Sequence, residues 1–129
     1  MSTVSPPVNA DEVFAVNKNV RWVGLVTEEG EVLLNQMRPG VRSYSPLEVD
    51  EKLLQLGPLT LLGVEERYSE YLKGVQEIVV FYGVTFSVYA KLDSQVIAIS
   101  IEEGDEDALP DVRAWLRKKR SELAKTSQQ

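Results

Sequence analysis

The sequence has no cysteine and no histidine. The first absence removes disulfides, thiolate nucleophiles and thiolate metal ligands. The second removes the commonest general base and the commonest transition-metal ligand together. Zinc chemistry is not expected, because carboxylates alone rarely make a zinc site. No apolar run approaches the roughly 20 residues of a membrane span. Residues 1–9 are neither basic nor apolar and do not read as a signal peptide. A soluble, cytoplasmic protein without metal or cofactor is the expectation.

At 129 residues, with 43% hydrophobic and 26% charged side chains, the chain is long enough for one domain with a full core. Its net charge of −6 opposes non-specific binding to nucleic acid. The charge is unevenly spread. Arg113, Arg117, Lys118, Lys119, Arg120 and Lys125 stand against Glu122, a local balance of +5 that leaves −11 on the rest. Part of that lies in the run Glu102, Glu103, Asp105, Glu106 and Asp107.

Along the chain, residues 1–9 contain Pro6 and Pro7 and are expected to form a disordered tail. One domain then spans 10–125, and 126–129 are expected to fray. Asn9 is placed to cap a short helix over 10–16, with Asp11 and Glu12 in its first turn. Val20–Thr27 reads as a strand with Val20, Trp22 and Val26 on one face and Val23 and Leu25 on the other. A strand apolar on both faces is central and covered on both sides. Residues 27–30 form a turn in which Gly30 supplies a positive φ, and 31–37 pair back until Pro39 and Gly40.

A long helical stretch follows over 46–73, opened by Ser45 as N-cap, Pro46 and a capping-box Glu48. Gly57-Pro58 should kink or break it, because proline removes a backbone bond and clashes with the preceding turn. Three strands come next, at 76–81, 84–92 and Gln95–Glu102, turning at Tyr82-Gly83 and Asp93-Ser94. The last strand is apolar on both faces, with Ile97, Ile99 and Ile101 opposite Val96 and Ala98. The closing helix repeats Val112, Trp115, Leu116, Lys119 and Leu123 at three-to-four spacing, so this side packs on the sheet.

Few residues invite a reading as chemistry. Nucleophilic catalysis would need serine, threonine or lysine activated without histidine, and no motif surrounds any serine. The pairs Glu28-Glu29, Glu65-Glu66 and Glu102-Glu103 read as solvated surface, and the 102–107 run as complementing the dipole of the next helix. Gly30 lacks the rest of a phosphate loop. Arg113, Arg117, Lys118 and Arg120 form a basic face that either contacts a partner or anionic surface or is simply solvated. The middle helix carries more leucine and valine than one stripe. Either a second copy covers the excess, or the break at Gly57-Pro58 turns both leucine sets toward the same core.

The segment WVGLVTEEGEVL at 22–33 resembles the opening hairpin of the Roadblock (dynein light chain-like) family, and the element order over roughly 10–124 is compatible with it. The resemblance is to small archaeal proteins of that type. It implies an α+β fold with one five-stranded antiparallel sheet in order 2-1-5-4-3. The middle helix would cover one face, and the N- and C-terminal helices the other. That order sets the two doubly apolar strands side by side in the interior. The resemblance further implies a homodimer built from the middle helix and third strand, here Leu53, Leu56, Leu61, Val79 and Phe81. It implies a non-enzymatic scaffold or regulator of a partner protein, small Ras-like GTPases being the partners of known relatives. A PAS-like small-molecule sensor is the alternative, with Tyr68, Tyr71, Tyr82 and Tyr89 supplying polar groups to a cavity. Profilin-like activity shares the fold neighbourhood but has no residue match in the sequence.

Overall fold

The computed structural model describes residues 7–46, 49, 52, 54–55, 60–64, 70–72, 74–104 and 106–127. Five strands, β1 (Val20–Thr27), β2 (Val32–Met37), β3 (Glu77–Phe81), β4 (Thr85–Leu92) and β5 (Gln95–Glu102), form one sheet. Every pairing is antiparallel and the order is β2-β1-β5-β4-β3. Helices α1 (Ala10–Phe14) and α2 (Ala108–Ser127) flank it in sequence. Between β2 and β3, the described residues 49, 52, 54–55, 60–64 and 70–72 are helical. Gly57-Pro58 and the capping-box Glu48 lie outside the described residues.

Apolar burial divides the molecule into two layers about the sheet. Val13 and Phe14 of α1 and Ala108, Val112 and Leu116 of α2 pack with Val23, Leu25, Val88, Ile97, Ile99 and Ile101. Leu54 and Leu61 of the middle helical stretch pack on the opposite face with Val26, Tyr89, Val96 and Ala98. β1 and β5, the two strands read as apolar on both faces, lie side by side in the interior and are covered on both sides, as is β4, whose Val88 and Tyr89 face the two layers.

Turn chemistry follows residue type. Asn9 caps α1 in a reciprocal capping box with Glu12. Gly30 takes φ +93 in the β1–β2 turn. Asp93 takes φ 59 in the two-residue hairpin that pairs Leu92 with Gln95. The Tyr82 N–H donates to Thr85 O at 2.8 Å, and the β3–β4 register is unbroken, so Gly83 belongs to a turn rather than a bulge.

Five expectations are corrected. Val20 does not share a face with Trp22: it packs with Val23 and Leu25. The cause is a β-bulge, because Val20 pairs with Ile101 and Trp22 with Ser100, leaving Arg21 as an extra residue. One inserted residue resets the alternation. Val84, expected to open the strand at 84–92, precedes β4 and is 52% exposed. Val8, expected in the tail, is buried in the core, and α2 continues to Ser127 beyond the expected fray point. Glu102 does not complement the dipole of α2, because it ends β5 and turns to Arg21 and Tyr44.

The middle stretch packs directly on β1. A methyl group at Gly24 would lie 2.5 Å from Leu54 Cδ1, and closer still to the Trp22 ring. Glycine at this position is a requirement of close approach, not of backbone angle.

Candidate functional site

The Arg21 bulge builds the most polar part of the sheet. It puts Arg21 and Trp22 together on the face of the middle helical stretch. There Arg21 Nη1 donates to Glu102 Oε2, and Arg21 Nη2 donates to Arg42 O at 2.6 Å. Tyr44 closes the group: its hydroxyl donates to Glu102 Oε1 at 2.8 Å, and the Arg21 guanidinium lies 4.1 Å from its ring centre. The Tyr44 hydroxyl first, and Arg21 after it, hold the Glu102 carboxyl below its ordinary range against the opposing effect of burial. The same hydrogen bond raises Tyr44.

Beside this cluster is a cavity of about 230 Å³, lined by Arg21, Trp22 and Tyr44, by Tyr82, Tyr89 and the sheet serines Ser87 and Ser100, and by neighbouring loop residues. Cross-strand register explains it. Met37, Trp22, Ser100 and Ser87 form one row across four strands, and the two serines leave a low floor beside the tryptophan. Trp22 Nε1 donates to Asn35 Oδ1 at 2.8 Å, which fixes the indole plane. Burial, then the neighbouring Tyr82, pushes the Tyr89 hydroxyl far above its ordinary value, so it stays neutral across the working pH range. Of the tyrosines expected at a ligand cavity, Tyr82 and Tyr89 line it. Tyr71 is instead 74% exposed, and Tyr68 lies outside the described residues.

Of the residues expected at a dimer interface, Leu61, Val79 and Phe81 are among the described residues. Leu61 is fully buried inside the protomer and packs on Val26 and Tyr89, so it offers no surface to a second copy. Leu53 and Leu56 lie outside the described residues. Val79 is partly buried against the core beneath α2. Phe81 is 65% exposed, its ring 5.3 Å from that of Phe86. Leu54 and Leu61 thus face the same core, and among the described residues of the stretch Val49, Val64, Tyr71 and Leu72 are exposed apolar side chains.

The basic face of α2 is likewise divided. Arg113 Nε and Arg120 Nη2 pair with the two oxygens of Glu77 at 2.6 and 3.1 Å, with the Glu77 side chain only 7% exposed. They fasten edge strand β3 to α2. Arg117 and Lys118 are exposed. Lys119 pairs with Glu12 of α1 at 2.9 Å.

Burial raises the Glu77 carboxyl, but hydrogen bonds and charge from Arg113 and Arg120 outweigh burial and leave it below its ordinary value. A carboxyl depressed in the folded state contributes stability above its unfolded pKa, about 4.3. That contribution is lost as pH falls through the folded value. Glu77→Gln should therefore lower the urea midpoint at pH 7, and the gap to the unsubstituted protein should narrow progressively as pH is lowered from about 4.3 toward about 2. A gap unchanged across that range would rule out the pairing as a source of stability.

Arg38, at the end of β2, was not expected to matter. It spans from the sheet to α1: Nε donates to Val20 O at 2.6 Å, and Nη2 to Phe14 O at 2.6 Å and Asn17 O at 2.8 Å. Its partners are carbonyls, which every residue has, so no sequence pattern points to it. Arg21 did leave a signal: a cation interrupting the apolar run Val20–Val26 needs either a bulge or an anionic partner, and it has both.

No family model and no curated protein matches the chain. Solved structures do. MglB in a tetrameric arrangement superposes with a TM-score of 0.69 at 15% identity, over 89% of this chain and 82% of that one. The gliding protein MglB from Thermus thermophilus gives 0.66 at 16%, over 88% and 80%. A Roadblock/LC7 domain from Streptomyces avermitilis gives 0.62 at 12%, over 98% and 96%. The chain thus shares the fold of Roadblock/LC7 domains, as the hairpin resemblance implied. Among the described residues no helix is long and apolar enough to cross a membrane.

Proposed function

We propose that this chain is a non-enzymatic regulatory or scaffold module that pairs with a second copy and binds a partner protein, with a small Ras-like GTPase the first candidate. The supporting observation is the contrast between the two sheet edges. On β2, Leu33 is an extra residue between Leu34, which pairs with Leu25, and Val32, which pairs with Val26. That bulge, followed by Pro39 just beyond the strand, blunts the edge. On β3 the ladder to β4 has no bulge, and the strand reads Glu-Ile-Val-Val-Phe, without lysine or proline. An unblunted apolar edge invites another strand. The likeness to Roadblock/LC7 domains supplies the GTPase candidate, and the MglB structure in a tetrameric arrangement is a self-associating example of the same fold.

Light scattering at high micromolar concentration should give twice the protomer mass; a monomer would rule the pairing out. The sharper variant is Phe81→Lys, since Phe81 is 65% exposed whereas Val79 is packed against the core. We expect Phe81→Lys to weaken self-association at least tenfold, about 1.4 kcal/mol, with an unchanged circular dichroism spectrum. Val79→Lys should weaken it as well, but with some loss of protomer stability. Calorimetry against purified small GTPases, loaded with GDP or a GTP analogue, tests the partner.

A further inference from the structure

We propose that the cavity beside Trp22 binds a small, uncharged, flat aromatic molecule of about one bicyclic ring. This does not rest on the partner-binding reading: the cavity lies on the face of Trp22 and Tyr89, opposite the face where Phe81 meets Phe86.

Size, wall chemistry and charge each narrow the occupant. A cavity of about 230 Å³ is below the roughly 300–1,000 Å³ that holds drug-sized ligands, which leaves room for one ring system. The walls include Trp22, Tyr44, Tyr82 and Tyr89, aromatic side chains that pack on flat rings better than on branched aliphatic groups. The floor is Ser87 paired across the strands with Ser100, two short hydroxyl side chains able to donate to or accept from a ring heteroatom. Ser87 is 8% exposed, so a hydrogen bond there is made away from bulk water.

Among the described lining residues Arg21 is the only charged side chain, and Glu102 already answers it. An anion would have to displace Glu102 from the guanidinium. A cation would find no carboxylate among the described lining residues. A charge placed there without a partner pays its full desolvation, so neutral ligands are preferred.

The test uses the full chain with ¹⁵N-labelled tryptophan side chains. Indole and quinoxaline are the neutral molecules; indole-3-acetate and tryptamine carry the two signs of charge. Trp22 reports the cavity, and Trp115, which packs in the opposite layer, is the internal control. Both neutral molecules should shift the Trp22 Nε1–H signal saturably in the high micromolar to low millimolar range and leave Trp115 unmoved. The charged molecules should bind at least tenfold more weakly. Ser100→Leu fills the floor and should abolish the shift. Should Ser100→Leu fail to fold, Tyr44→Ala at an exposed loop position serves instead and should weaken indole at least fivefold. Any one of four results overturns the proposal: no saturable Trp22 shift with either neutral molecule, equal movement of Trp115, charged molecules binding as tightly, or unchanged indole binding in the folded cavity variant.

Discussion

Gly24→Ala is expected to lower the unfolding free energy by about 2–3 kcal/mol, the upper part of the usual range for overpacking a core. The added methyl would lie 2.5 Å from Leu54 Cδ1 and against the Trp22 ring, both of which are already packed. The indole cannot swing freely, because its Nε1 is bound to Asn35. The methyl therefore lifts the middle helical stretch off β1 or breaks that hydrogen bond. Urea unfolding measures the loss. Leu54→Ala in the same chain is the diagnostic partner: it costs stability alone, but it makes room for the methyl, so the two losses should sum to less than their separate values. Gly30→Ala is the contrast, because a methyl there meets nothing and the penalty, about 1 kcal/mol, comes only from φ +93. If Gly24→Ala falls within about 0.5 kcal/mol of the unsubstituted protein, the usual bound for a site without such a clash, the close approach of helix and strand is wrong.

Arg38→Ala is expected to cost about 2 kcal/mol and to loosen α1 selectively. Three carbonyls lose a charged donor, and each left dry would cost about 1–3 kcal/mol. The guanidinium is only half-buried, so water replaces part of the loss and the simple sum is too large. Phe14 ends α1, so its carbonyl has no helical partner and faces a cation at the negative end of the helix dipole. Arg38→Lys keeps the charge but cannot hold three carbonyls with one ammonium, and should recover less than half. Hydrogen exchange should quicken across 13–20 before it does in β4 or β5. Equal protection across the molecule would mean that Arg38 does not anchor α1.

How much of this was legible depends on the range of the signal. Element order and both central strands were readable because burial on two faces is written as a doubly apolar run, as in Val20–Val26 and Val96–Ile101. The face of Val20 was not, because alternation is a local rule and the extra residue Arg21 resets it without altering composition. The clamp of Glu77 on Arg113 and Arg120 joins residues 36 and 43 positions apart, and solvated charges at those positions would look the same in sequence. A count of leucines does not separate core from interface: Leu54 and Leu61 share one core, and nothing in their spacing marks that. The cavity was the least visible of all. Ser87 and Ser100 were readable as sheet residues, but their juxtaposition beside Trp22 exists only once the register is set.

The unequal edges have a consequence for how far assembly can run. A sheet with two receptive edges adds copies head to tail without limit, and the product is a fibre. Here only β3 is receptive, because the Leu33 bulge disqualifies β2. Pairing β3 with β3 uses the same patch on both copies, closes on a two-fold axis and leaves blunted strands outermost. If copies pair through β3 as proposed, the bulge on β2 would act as a chain terminator for a ribbon that would otherwise polymerise.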